Sequence, residues 1–303
     1  MTLTAVDLFA GLGGFTEGAR MAGVDVIWAA NHWATAVQYH ALNHPDALHA
    51  CQDLHQYDFG LVPDHDIALL APCCQGHFPN NREKASHNAS RATAWAVVAL
   101  LEAKRPPLAI VENITWFLRW KLFRPFCDAL RALGYSLFII QSDAADQGVP
   151  QNRVRIFILC THGKKSLQVR LPKMPHVGVE SVIRWNDYAW RPLSEKCANS
   201  QARAANGRAL FGDRFVMPYY SKGSGLTGRD LTRPLGTITT KARWGIVDRD
   251  RMRMFQPAEL LDVMSFPAGY RLPANIETAN RLLGNAICPK QAAAVIGAVL
   301  EAA

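Results

Sequence analysis

The segment Val6-Asp7-Leu8-Phe9-Ala10-Gly11-Leu12-Gly13-Gly14 constrains the fold of this chain more than any other. Val6 to Phe9 reads as a short buried strand, the glycines as a turn, and Phe15 to about Ala22 as the helix that follows. Glycine permits positive φ and lets backbone amides approach a ligand at the electropositive start of a helix. Strand, glycine turn and helix in that order open many nucleotide-binding α/β sheets, but the same turn serves nicotinamide enzymes or plain packing. The turn alone leaves function open.

The alternation continues beyond it. An apolar strand from Val24 to Ala30 precedes a helix to about Leu42, and Ile67 to Leu70, Leu108 to Val111 and Arg155 to Leu159 supply further strands. This implies an α/β fold with a doubly wound, mostly parallel sheet. Ser136 to Gln141 and Arg155 to Cys160 read as a closing antiparallel pair. Prolines and glycines then break the periodicity from His162 to about Asp230, which reads as a second, smaller irregular domain. Periodicity returns at Glu259 to Met264 and in an alanine-rich helix from Asn285 to Leu300, expected to return to the first domain. The expected division is 1–161, 162–228 and 229–303.

Composition narrows the function classes. No run of eighteen apolar residues and no leader pattern is found, so a membrane partner is not expected and a cytoplasmic setting is. The cysteines at 51, 73, 74, 127, 160, 197 and 288 lack paired metal-ligand spacing, so neither a metal nor a disulfide framework is expected. Thirty-three Lys and Arg against 25 Asp and Glu favour a polyanionic partner, with arginines dense from Arg203 to Arg253.

Five places carry chemistry. Ala71-Pro72-Cys73-Cys74-Gln75-Gly76-His77 follows the strand Ile67 to Leu70 and puts thiols at a strand's carboxyl end, where ligand chemistry concentrates in such sheets. The polar stretch Gln75 to Ser90, with Pro79, Asn80, Asn81, Arg82 and Lys84, suits a mobile lid over an anionic polymer. Glu112-Asn113 ends another strand, placing a carboxylate beside the thiols, although Glu-Asn also serves as a helix cap. Gln151-Asn152-Arg153-Val154-Arg155 alternates so that Gln151, Arg153 and Arg155 are expected on one strand face. Asp53, after the third strand, is placed to accept from an adenine amino group or to cap a turn.

In this order the blocks resemble the DNA (cytosine-5) methyltransferases: Asp7 to Phe15, the Pro-Cys-Gln block ending in Cys74-Gln75, Glu112-Asn113-Ile114, Gly148 to Arg155, Arg233 to Thr240 and Gly284-Asn285-Ala286. The resemblance covers most of the chain outside 162–228 and implies methyl transfer from S-adenosylmethionine to carbon 5 of a cytosine flipped out of double-stranded DNA. It makes Cys74 the nucleophile toward carbon 6, with Glu112 on the cytosine's pairing edge and Arg155, helped by Arg153, on its carbonyl oxygen. It assigns the cofactor to Phe9, Ala10, Gly11, Leu12, Gly13, Gly14, Asn31, His32, Asp53, Leu54, Pro72, Asn285 and Ala286. Residues 162–228 become the target-recognition domain, and a monomer is the expected state.

The chain departs from the family pattern at three points. Cys73 stands where a second proline is usual, and Cys74 is chosen as nucleophile because it directly precedes Gln75. Gly76-His77-Phe78 replaces the usual glycine, phenylalanine and serine. Asn31 stands for the usual ribose-binding glutamate, which predicts cofactor binding weaker by about 1–2 kcal/mol. An RNA methyltransferase, a DNA binder with a degenerate cofactor site and a nicotinamide oxidoreductase are the competing readings. The intact Cys74, Glu112 and Arg155 set argues against the last two. The target sequence, a restriction endonuclease partner as against a solitary or viral role, and a plain or modified donor stay open at this point.

Overall fold

A computed structural model describes residues 2–77, 85–163, 167–219 and 228–302. The chain divides into two compact units, the first made of Met1–Asp143, Val154–Pro172 and Ile287–Ala303, the second of Ala144–Arg153 and Lys173–Ala286. The expected cuts at 161 and 228 thus differ from the contact-based division, because residues 144–153 belong to the second unit and only the last helix of 229–303 belongs to the first.

The first unit is built on a seven-stranded sheet of order β3-β2-β1-β4-β5-β7-β6. Its strands are β1 (Leu3–Leu8), β2 (Val24–Asn31), β3 (Leu48–Cys51), β4 (Ile67–Leu70), β5 (Leu108–Asn113), β6 (Tyr135–Asp143) and β7 (Val154–His162). Pairing is parallel from β3 through to β5, whereas β7 runs antiparallel to both β5 and β6. Both faces are covered, which is why β4 reads as an unbroken apolar run. Ala68 and Leu70 enter a core with Ala94, Val97, Leu100 and Leu101 of α3 (Ala85–Lys104) and Phe126 and Leu130 of α4 (Phe123–Ala132). Ile67 and Leu69 enter the opposite core with Phe15 and Ala19 of α1 (Gly14–Met21) and Ala292, Val295 and Val299 of α8 (Pro289–Ala302).

Two glycines on α1 set how closely α8 approaches. A Cβ on Gly14 would stand 2.1 Å from the Ile287 carbonyl oxygen, and one on Gly18 would stand 2.4 Å from the Ala292 Cβ. The helix expected from Asn285 to Leu300 is α8 and begins only at Pro289, because Asn285 ends a preceding helix, α7 (Ile276–Asn285), and Ala286–Cys288 separate the two. Together they form the one stretch, Ile276–Ala302, apolar and long enough by composition to cross a membrane among the described residues, and 61% of its apolar window is buried within the fold. A core helix pair meets the same test.

The second unit has a four-stranded antiparallel sheet, ordered β8 (Arg191–Pro192), β11 (Arg251–Met254), β10 (Trp244–Asp248), β9 (Arg214–Pro218). Phe215, Met217, Val247 and Met252 pack there with Ala204 of α5 (Ala198–Phe211), where Gly207 leaves room for the Phe215 ring. Helix α6 (Pro257–Val263) starts at a capping box between Gln256 and Glu259. The Glu259 carboxylate is fully buried and takes two 2.7 Å bonds from Arg253, whose side chain is 3% exposed. Removing one partner of such a pair strands the other charge, so Glu259→Ala should destabilise the protein by about 3–5 kcal/mol. Urea unfolding followed by tryptophan fluorescence checks this, and a loss under 1 kcal/mol would contradict it.

Candidate active site

Parallel strands deliver their carboxyl ends to one edge of the sheet, and the chain leaves β1 toward β2 on one side while β4 lies on the other. This is the switch point at which open α/β sheets hold ligands. The turn after β1 sits there. Phe9 (φ 63°), Gly11 (φ 57°) and Gly13 (φ 95°) all lie in the left-handed region, and Gly13 N–H donates to the Ala10 carbonyl at 2.9 Å. A phenylalanine held at positive φ costs energy that the surrounding packing must offset. Leu12 is fully buried, so that residue can offer a ligand only its backbone.

The neighbouring strand ends add polar groups. Asn31 ends β2 and its side-chain oxygen accepts Trp33 N–H at 2.9 Å, just before α2 (Ala34–Asn43), while His32 is exposed beside it. Asp53 follows β3, is exposed, and its carboxylate accepts His55 N–H at 3.0 Å, so the turn-cap geometry is present. Leu54 is 4% exposed and belongs to the core, which gives its side chain a packing role in place of the cofactor contact expected for it. Pro72 is buried after β4. Left-handed glycines, outward polar groups and an exposed carboxylate along one edge fit an adenosine-bearing cofactor. Asn285 and Ala286 close α7 in the second unit.

The cysteine segment is stitched to its surroundings by groups the sequence did not announce. Cys73 N–H donates to Thr93 Oγ1 (2.9 Å), Gly76 N–H donates to Ser90 Oγ (3.0 Å), and Ser90 Oγ donates to Cys73 Sγ (3.0 Å). Arg91 donates to the Gly76 carbonyl at 2.9 Å. From the other side Asn113 Nδ2 donates to the Pro72 carbonyl at 3.0 Å, and Asn113 Oδ1 accepts Ile114 N–H at 2.9 Å. Asn113 therefore ties the end of β5 to the cysteine turn, and helix capping is not the use made of the Glu-Asn pair. Neither Cys73 nor Cys74 forms a disulfide, and both are half-buried.

Glu112, next to Asn113, pairs with Arg155: Nε lies 3.0 Å from Oε1, and the side chains are 12% and 10% exposed. The antiparallel register makes this pairing. Asn113 aligns with Ile156 and Glu112 with Phe157, so the amino end of β7 meets the carboxyl end of β5. Arg155 also donates to the Val154 carbonyl at 2.7 Å, which further fixes its head.

Gln151, Arg153 and Arg155 do not share a strand face, because β7 begins only at Val154 and residues 144–153 belong to the second unit. Arg153 is 2% exposed and donates to three main-chain carbonyls, Ile238 (3.2 Å), Gly284 (2.9 Å) and Ala286 (2.7 Å). That guanidinium holds backbone, which replaces the substrate-assisting role expected for it. Gln151 is fully buried, accepting Ile238 N–H at 2.8 Å and donating to Met264 Sδ at 3.0 Å. Asn152 and Leu235 pair through the backbone, and a Cβ on Gly284 would lie 2.3 Å from Thr239 carbon. Three blocks distant in sequence are thus one knot within the second unit.

The expected lid is only partly described: Phe78 to Lys84 lie outside the described residues, and Ala85 to Ser90 begin α3. His77 is 9% exposed and sits edge-on to Phe117 and Trp120, with ring centroids 4.8 and 5.4 Å away. Its N–H holds the Cys74 carbonyl at 3.0 Å. The basic half is also less available than its charge implies, since Arg214 and Arg251 grip Asp248 and Arg184 grips Asp262.

The family model for C-5 cytosine-specific DNA methylase matches residues 3–301. Among curated relatives, the type II methyltransferase M.BsuFI of Bacillus subtilis is 25% identical over 99% of this chain and 73% of its own length. M.HhaI of Haemophilus parahaemolyticus is 24% identical over 94% and 90%. Among solved structures, a DNMT2 mutant from Spodoptera frugiperda superposes with a TM-score of 0.75 at 17% identity, covering 99% of this chain and 100% of that one.

Burial makes the histidine beside Cys74 acid-sensitive. Desolvation lowers His77 to about 4, aided by the nearby Arg91 charge. The folded chain then binds fewer protons than the unfolded chain between the ordinary histidine value and 4, so stability falls as pH drops through that window. His77→Phe keeps the aromatic contact, and its urea midpoint should fall less than the native one between pH 6.5 and about 4. Parallel declines would contradict this.

Proposed function

Because the chain belongs to the C-5 cytosine-specific DNA methylases, we propose that its chemistry runs through Cys74, Glu112 and Arg155, with the cofactor held along the carboxyl edge of β1 to β4. The chain is a DNA cytosine-5 methyltransferase. The observation that carries the residue assignment is the Glu112–Arg155 pair at 3.0 Å, on the strand whose next residue, Asn113, grips the Pro72 carbonyl at 3.0 Å.

The Cys74 thiolate adds to carbon 6 of a flipped cytosine, and the ring's electrons then build up at carbon 5. Glu112 hydrogen-bonds the ring nitrogen and amino group. Arg155 supplies the cation for the carbonyl oxygen, and their mutual bond keeps both heads oriented before substrate arrives. Bound S-adenosylmethionine would supply a methyl group on a sulfonium centre, held by Phe9, the Gly11 to Gly14 backbone, Asn31, His32, Asp53 and Pro72. Loss of the carbon 5 proton lets the Cys74 bond break and frees the enzyme.

The second unit, with its antiparallel sheet and arginines, supplies recognition of double-stranded DNA, the protein acting as a monomer in the cytoplasm of a bacterial or phage-infected cell, close to the nucleoid. Type II methyltransferases among its relatives support a restriction endonuclease as companion. Transfer of labelled methyl from S-adenosylmethionine to mixed-sequence duplex DNA tests the reading. Cys74→Ser should abolish label on cytosine carbon 5, Cys73→Ser should retain it, and Glu112→Gln should slow transfer by about 10²-fold or more. Label that survives in Cys74→Ser, or that appears on RNA and never on DNA, would contradict it.

A further inference from the structure

Beneath the glycine turn lies a chain of titratable groups that the methyl-transfer chemistry does not use. Asp7, at 0% exposure, has its Oδ2 within 2.8 Å of Thr16 Oγ1, and its Oδ1 has no hydrogen-bond partner. Thr16 Oγ1 lies 3.0 Å from His40 Nε2, and His40 Nδ1 lies 2.8 Å from His49 Nε2. His49 is half-buried on β3, the edge strand, and its ring also bonds the Ala47 backbone. A third ring, His44, packs tilted against His40 with centroids 4.8 Å apart and bonds the Gly13 backbone, the last turn residue before α1. The other charged groups facing this cluster are Glu17 and Arg20 of α1, paired with each other at 2.6 Å. No group of three or more metal-ligating side chains is arranged to hold an ion among the described residues, so hydrogen bonding accounts for the cluster.

Counting protons gives the chain a direction. The Thr16 hydroxyl has one hydrogen and stands between two groups, so it donates to one and accepts from the other. With Asp7 protonated, its O–H donates to Thr16, Thr16 donates to His40 Nε2, His40 Nδ1–H donates to His49 Nε2, and His49 Nδ1–H faces the Ala47 backbone. Every link is then satisfied with all members neutral. With Asp7 ionised, each link reverses and the same four protons leave His49 as a cation. The two states differ by shifting one proton along each link, and they move a unit charge from the buried carboxyl to the sheet edge. Desolvation of Asp7, which raises its carboxyl to about 7, and of His49, which lowers its imidazole below the ordinary histidine value, favours the neutral state.

We propose that Asp7, Thr16, His40 and His49 form a proton relay through which the carboxyl beneath the glycine turn exchanges its charge with the sheet edge. Loss of a proton from His49 at the sheet edge leaves Asp7 ionised with every ring neutral, so affinity for a cationic ligand held by that turn rises with pH. His40 and His49 are positioning residues in this scheme, acting through Thr16. The coupling rests on the reading that the turn holds S-adenosylmethionine, whose sulfonium is cationic, whereas the product S-adenosylhomocysteine lacks that charge. An ionised Asp7 two residues before Phe9 favours the cation alone.

The relay is tested without any ligand by imidazole nitrogen spectra of the full chain labelled with 15N-histidine. The expected result is His40 neutral with its proton on Nδ1 at pH 6, and a His49 titration curve that changes in Thr16→Val but is restored in Thr16→Ser. A proton on His40 Nε2 at pH 6, or a His49 curve unaffected by Thr16→Val, would overturn the relay. Calorimetric affinities from pH 6 to 8.5 test the coupling. The preference for S-adenosylmethionine over S-adenosylhomocysteine should rise about three- to tenfold in the native chain, a change equal to roughly 0.7–1.4 kcal/mol, and stay flat in Thr16→Val. A flat native preference overturns the coupling. Failure of both ligands to bind at any pH overturns the cofactor reading itself, and the spectra still decide the relay.

Discussion

The antiparallel entry of β7 into an otherwise parallel run is the constraint on which the candidate site depends. Parallel strands bring only their carboxyl ends to the ligand edge, so β1 to β5 can place turns there but no strand start. Reversing one strand brings the amino end of β7 to that edge, and with it Arg155 against Glu112. The cysteine turn belongs to the same assembly through Asn113 and the Pro72 carbonyl. The cysteine-bearing turn, the carboxylate and the cation are thus fixed by backbone register and one amide side chain, with little left to side-chain rotamers.

Charge in this chain is spent unevenly. Of the arginines dense beyond residue 203, Arg253 is buried on Glu259, and Arg214 and Arg251 converge on the buried Asp248. The Arg214 and Arg251 guanidiniums also lie over Trp185 and Trp190, 4.5 and 4.9 Å from the ring centroids. A formal net charge of +8 therefore overstates what faces a polyanion. Arg153 belongs with these internal cations: its three carbonyl bonds knot blocks 148–153, 233–240 and 284–286 into one piece of the second unit.

The sheet was legible because its strands are apolar on both faces and punctuated by glycine and proline. Ile67 to Leu70 was placed to the residue, and the closing pair of β6 and β7 was visible from two apolar runs joined through Gly148-Val149-Pro150. Alternation misled at Gln151 to Arg155, since period two holds only within a strand and the strand starts at Val154. The cysteine, the carboxylate and its arginine could be singled out from position at strand ends. Ser90, Thr93 and the bonding of Asn113 could not, because a polar side chain advertises its partner only once the backbone has brought the two together. The start of the alanine-rich helix was read four residues early, because Asn285 looks like its opening and is instead the end of α7.

The central claim is that Cys74, and not its neighbour Cys73, forms the bond to carbon 6. A duplex carrying cytosines with fluorine at carbon 5 tests it most directly, since fluorine cannot leave as a proton and the bond to the enzyme persists after methyl transfer. Incubation with S-adenosylmethionine, denaturation and peptide mapping by mass spectrometry should locate the nucleotide on Cys74. A nucleotide on Cys73, or no denaturation-resistant complex from protein that methylates ordinary DNA, would contradict the account.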